Sequence, residues 1–137
     1  MARQVVSALF GVMVLSGIVH ASGGVWMDVV AKIESKLKEA LAEYQRGEKF
    51  DAVELVVDAY FGIFEAPEAN MEVAVRRFIS FKEALRLEKG FTELRKAMHK
   101  ETAPARVEAQ AIELVEMLKD AAERLERKGV TPDALAP

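Results

Sequence analysis

The chain has 137 residues, about half of them apolar and 30% charged, which suits one globular domain and is too short for two. A formal net charge of −3, with no basic cluster interleaved with aromatics, excludes a nucleic-acid binder that relies on phosphate neutralisation. The chain has no cysteine, which excludes disulfides, thiolate nucleophiles, thiolate zinc sites, iron–sulfur clusters and C-x-x-C-H haem attachment.

Residues 1–21 are predicted to be a secretory signal peptide. Arg3 supplies the positive start, Val5 to Val19 form an apolar stretch, and Val19-His20-Ala21 is a small-x-small cleavage pattern. The apolar stretch is shorter than the roughly 20 residues of a spanning helix, although an uncleaved membrane anchor is the alternative. The implied location is periplasmic. Residues 22–129 are then the helical domain and residues 130–137, with two prolines, a flexible tail.

The first helix is expected from about Val25 to Arg46. Trp26, Val29, Val30, Ile33, Leu37, Leu41 and Tyr44 recur at three- and four-residue steps, and Gly47 follows as a stop. The second starts near Phe50 and carries Val53, Val56, Val57, Tyr60, Phe61 and Phe64. Pro67 breaks the pattern, because it lacks a backbone donor and disfavours helix at Ala66. A short helix from Pro67 to about Phe78 is expected after it.

Ser80 and Glu83 form an S-x-x-E capping box for the next helix, which runs to about Lys100 with Phe81, Leu85, Leu87, Phe91, Leu94 and Met98 inward. Gly90 within it costs roughly 1 kcal/mol against Ala, which points to a close approach by a neighbouring backbone or aromatic ring. Thr102 is the expected cap of the last helix, with Pro104 in its first turn and Gly129 as its stop. The prediction is an all-α fold: an up-down-up-down four-helix bundle with a short extra helix after Pro67.

The candidate site lies in the stretch Asp58–Glu72, where Tyr60, Phe61 and Phe64 precede Glu65, Glu68 and Glu72. Phe61 and Phe64 are expected to form a core wall. Glu68 and Glu72 share a helix face at four-residue spacing, and Glu65 approaches them across the Pro67 kink. Carboxylate oxygens suit hard cations such as iron, calcium or manganese; a solvated acidic face is the competing reading. Tyr60 either ligates ferric iron or donates a hydrogen bond to a carboxylate, or is simply a core-edge tyrosine. Met71 and Met98 read as core filler or soft ligands, and His99 as a surface residue near a helix C-terminus. There is no E-x-x-H pair for a di-iron bundle, no G-x-S-x-G motif, no phosphate loop and no Rossmann fingerprint, so no enzyme is expected.

The run Tyr60-Phe61-x-x-Phe64-Glu65, then Met71-Glu72, then Ser80-Phe81-Lys82 and Leu87-Glu88-Lys89-Gly90-Phe91, resembles the N-terminal periplasmic helical domain of bacterial high-affinity iron permeases. The resemblance implies iron capture or delivery, with Glu65 and Glu72 as the carried-over acidic positions, Tyr60 as a helper, and Met71 and Lys82 as further pattern residues. Glu68 has no counterpart in the pattern and rests on spacing alone. Two departures stand out. The gap from Phe64-Glu65 to Met71-Glu72 is longer than in the family, and the R-E-G-x-E motif of the permease helices is absent. The expectation is therefore a stand-alone periplasmic accessory that binds iron, docks to a membrane iron permease, or both. The alternatives are a metal-free periplasmic interaction module and a membrane-anchored subunit of a larger complex.

Overall fold

The computed structural model describes residues 24–137, so the expected signal peptide and its cleavage site lie outside the described residues. The described chain is all-helical, with five α-helices: α1 (Val25–Gln45), α2 (Lys49–Ala59), α3 (Met71–Phe78), α4 (Phe81–His99) and α5 (Pro104–Arg127). α1 packs against α2 and α5, α4 against α2 and α5, and the short α3 against α4 and α5. None of the described helices is long and apolar enough to cross a membrane.

The apolar stripes meet in one core. Trp26, Ile33, Leu37, Leu87, Phe91, Leu114 and Leu118 are each almost wholly buried. Where such a stripe repeats every three or four residues, a helix hides it by turning that one face inward. Gly47 and Gly129 end α1 and α5 at positive φ, 86° and 68°. Each closes a C-terminal turn in which the next residue's N–H reaches a carbonyl five residues back: Glu48 to Glu43 and Val130 to Leu125. α4 ends the same way with Glu101 at φ 57°, a conformation that a non-glycine residue adopts at some cost.

Gly90 does admit a close approach, but by an aliphatic side chain rather than a backbone or aromatic ring. A Cβ there would lie 2.6 Å from Leu114 Cδ1. Ser80 caps α4 by accepting from Glu83 N–H at 3.0 Å. The expected capping box is only half made, because Ser80 N–H already donates to Val75 and the Glu83 carboxylate pairs with Arg86.

Several expectations are corrected. Phe61, Phe81 and Leu85 are not core residues; they are 59%, 56% and 44% exposed. α4 turns about 100° per residue, and its buried stripe of Ala84, Leu87, Phe91, Leu94 and Met98 leaves Phe81 and Leu85 to one side. Thr102 is not the cap of α5. Ala103 stands there with no side-chain bond, while Thr102 uses its N–H on Ala97 and its carbonyl on the Tyr44 hydroxyl. The helix expected from Pro67 to Phe78 is two pieces: a 3-10 turn over Pro67–Ala69, then α3, capped by Asn70 accepting from Val73 N–H at 3.1 Å.

The segment expected as a flexible tail carries three attachments to the helices. Val130 is buried, its carbonyl accepts the Trp26 indole N–H at 2.7 Å, and Arg77 donates to the Ala134 carbonyl at 3.2 Å. The Glu126 carboxylate adds a clasp beside it, accepting the backbone N–H of Trp26 at 2.9 Å and so capping α1 from another helix.

Candidate metal centre

The site begins where α2 stops being an α-helix. Over Tyr60–Phe64 the helix widens by a π turn, closed by Glu65 N–H donating to the Tyr60 carbonyl at 2.9 Å. Residues five apart lie on different sides of an α-helix, and the wider turn brings them together. The Tyr60 hydroxyl accordingly donates to Glu65 Oε1 at 2.7 Å. The tyrosine ring is held from behind by Phe64 and Phe91, with ring centroids 5.8 Å and 5.3 Å away. Such rings at offset or edge geometry position the phenol as well as burying area.

Pro67 then turns the chain. Ala66 is extended at φ −61°, ψ 137°, as the residue before a proline tends to be. The 3-10 turn and the Asn70 cap start α3 so that Glu72 falls in its first turn and is buried, 6% exposed. From α4, Glu88 projects beside the inward pair Leu87 and Phe91 and completes the group. One carboxylate oxygen from each of Glu65, Glu72 and Glu88 lies within 4.8 Å of the other two. Glu65 and Glu88 are half-buried.

Among the described residues, one cation touches this group. Arg76, one turn along α3 from Glu72, donates Nε to Glu72 Oε1 at 2.7 Å and Nη2 to the same oxygen. Its Nη2 also reaches Glu88 Oε1 at 3.1 Å. The guanidinium sits 4.9 Å from the centroid of the Phe81 ring, which explains why that exposed ring is placed there.

Three carboxylates facing one guanidinium leave negative charge uncompensated, and the proton affinities reflect it. Burial, and then the hydrogen bond and charge of Glu72, push the Glu88 carboxyl up, with Arg76 opposing. Burial and the Glu65 carboxylate likewise push the Tyr60 phenol well above its ordinary value, so it stays a neutral donor. Hydrogen bonding to Glu72 raises the Arg76 guanidinium further, which keeps it charged.

The sequence-predicted residues divide as follows. Glu65, Glu72 and Tyr60 are brought together. Glu68 is not: the Pro67–Ala69 turn leaves it exposed, lining a groove with Asn70, Val73 and Pro132. Met71 is wholly buried in the core, as is Met98. Lys82 is exposed on α4 and stands outside the cluster, and His99 is exposed.

Glu88 is the residue that sequence reasoning passed over as a site member. Its signal was present in the Leu87-Glu88-x-x-Phe91 segment, where two buried apolar residues flank a carboxylate that spacing alone leaves unattached. Chemically the group offers hard oxygen donors converging from three helical segments, with a phenol fixed beside them. That donor set suits calcium, manganese or iron rather than a soft metal. Comparison with protein-family models, with curated proteins and with solved structures finds no match to this chain.

Proposed function

We propose that this chain is a periplasmic accessory of an iron-uptake system. In this reading it takes iron as cargo on Glu65, Glu72 and Glu88, with Tyr60 orienting Glu65, and delivers it by docking to a membrane iron permease. The role is binding and transfer, not catalysis. The observation that carries the reading is the convergence of three carboxylates within 4.8 Å around a buried Glu72. Like charges held that close favour a cation between them. The residues that make the cluster are also those in which the sequence resembles the periplasmic domain of iron permeases. The same reading treats α1, α2, α4 and α5 as an up-down-up-down bundle that holds α2 and α4 in register, with α3 as the extra helix that brings in Glu72.

A second reading is favoured by Arg76. Its bonds to Glu72 and Glu88 already balance part of the charge, as in a metal-free interaction module whose acidic group is structural. Calorimetric titration with ferric citrate, and anaerobically with ferrous ion, separates the two. The iron reading expects saturable binding that Glu65→Ala with Glu72→Ala abolishes while circular dichroism stays helical. Unchanged heats in that double variant sink the site. No binding by the wild type selects the metal-free module. A membrane-anchored subunit would instead show itself by an intact mass that retains residues 1–21.

A further inference from the structure

Away from the acidic cluster, α1 and α5 leave a groove between them. Leu37, Leu41, Ala111, Ile112 and Val115 line it, and its volume is about 210 Å³. A cavity of about 150 Å³ holds a benzene ring, so there is room for one branched aliphatic side chain. Ile112 is 56% exposed at its mouth. Glu108 and Glu116 stand one turn to either side of Ile112, about 12 Å apart along the helix. The ion pairs of α5 among the described residues use Lys119, Arg124 and Arg127, and leave these two carboxylates out. Lys38 at the rim is already engaged by Glu34. The groove therefore asks for an aliphatic side chain flanked by two cations at two-turn spacing.

This chain carries that pattern on another helix. Lys82, Leu85 and Lys89 share the outer face of α4 at positions i, i+3 and i+7, about 10.5 Å from end to end. Leu85 is 44% exposed, and among the described residues the ion pairs of α4 use Arg86 and Lys96 rather than these two lysines. We propose that the Lys82–Leu85–Lys89 face of one copy docks into the α1–α5 groove of a second copy, Leu85 filling the apolar slot and the lysines meeting Glu108 and Glu116. The two surfaces differ, so the contact is heterologous. Repeated, it closes a ring or grows an open chain rather than stopping at a symmetric dimer. The iron reading is not needed for this, since neither surface includes Glu65, Glu72 or Glu88.

Sedimentation velocity on the full chain, from micromolar to near-millimolar concentration, tests it with paired charge swaps. The wild type is expected to show a weight-average sedimentation coefficient that rises with concentration past that of a dimer. Lys82→Glu with Lys89→Glu should abolish the rise, and so should Glu108→Lys with Glu116→Lys. An equimolar mixture of the two swapped proteins should restore it, because each acidic face then meets a basic groove. All four positions are exposed, and circular dichroism confirms folding in each variant. A wild type that stays monomeric overturns the proposal, whether the groove is then filled by residues 1–23 or by another protein. Self-association that survives either swap, or a mixture that fails to recover it, overturns it equally.

Discussion

Arg76→Leu is the most searching test of the acidic cluster. The substitution keeps an aliphatic stem and removes the cation that bonds Glu72 and Glu88. At a separation of roughly 4 Å and an effective dielectric near 20, a unit charge pair is worth about 4 kcal/mol. Arg76 is 42% exposed, so solvent screening cuts that to about 2 kcal/mol. Against this, Glu72 is buried and would be left unpaired beside Glu88, and breaking a buried pair from one side costs about 3–5 kcal/mol. Because Arg76 is partly exposed, the expected loss lies at the low end of that span, about 2–3 kcal/mol at neutral pH. With a urea slope of about 2 kcal/mol per molar, the unfolding midpoint should fall by roughly 1 M. Adding Glu72→Gln and Glu88→Gln to the Arg76→Leu background should recover most of the loss, because the charges that needed Arg76 are gone. A midpoint unchanged in the single variant would show that the carboxylates do not rely on the guanidinium, and the electrostatic account of the site would fail.

The remaining predictions use the same measurement. Glu88 has its carboxyl raised in the folded state, so the stability it contributes is present below its ordinary value of 4.5 and is lost as pH rises through the folded value. Wild-type stability should therefore fall relative to Glu88→Gln as pH rises above 4.5, and a constant difference would refute the shift. Leu114→Ala removes a wholly buried side chain that packs over Gly90 and should cost about 2–5 kcal/mol by chemical unfolding. Glu68→Ala should change stability by less than about 0.5 kcal/mol, since Glu68 is exposed; a large loss would mean that it is structurally paired after all.

The helices were legible because three- and four-residue spacing of apolar side chains has few other solutions. The stripe from Trp26 to Leu37 and the stripe from Val107 to Leu125 are buried as the pattern requires. What spacing does not resolve is the edge of a stripe. Phe81 and Leu85 are apolar and in helical phase with one another, yet they lie a fraction of a turn from the buried line, and only the packing of α3 and α5 decides that they stay outside.

The site was half legible. Glu65 and Glu72 stood out by clustering with aromatics, and Pro67 announced the turn between them. Glu68 misled because a common helix face was assumed, while the 3-10 turn broke the helix between Glu68 and Glu72. Glu88 was hidden because it lies 16 residues beyond Glu72, and nothing local states that α4 folds back against α3. The π turn at Tyr60 was equally silent, since Gly62 and its aromatic and β-branched neighbours weaken any helix alike and say nothing of a wider turn.

The clasp between the two ends of the domain bears on how the chain reaches its final form. α1 and α2 are neighbours in sequence and can associate as soon as both exist. The indole of Trp26, by contrast, finds its acceptor 104 residues away, on Val130. Closing so long a loop is entropically the dearer step and cannot happen until α5 is available. Trp26 is the chain's only tryptophan and its indole donates to Val130, so its fluorescence is sensitive to that closure, whereas far-ultraviolet dichroism reports helix formation throughout. In refolding, dichroism that recovers ahead of fluorescence would mark a species with helices formed and the seam between first and last still open.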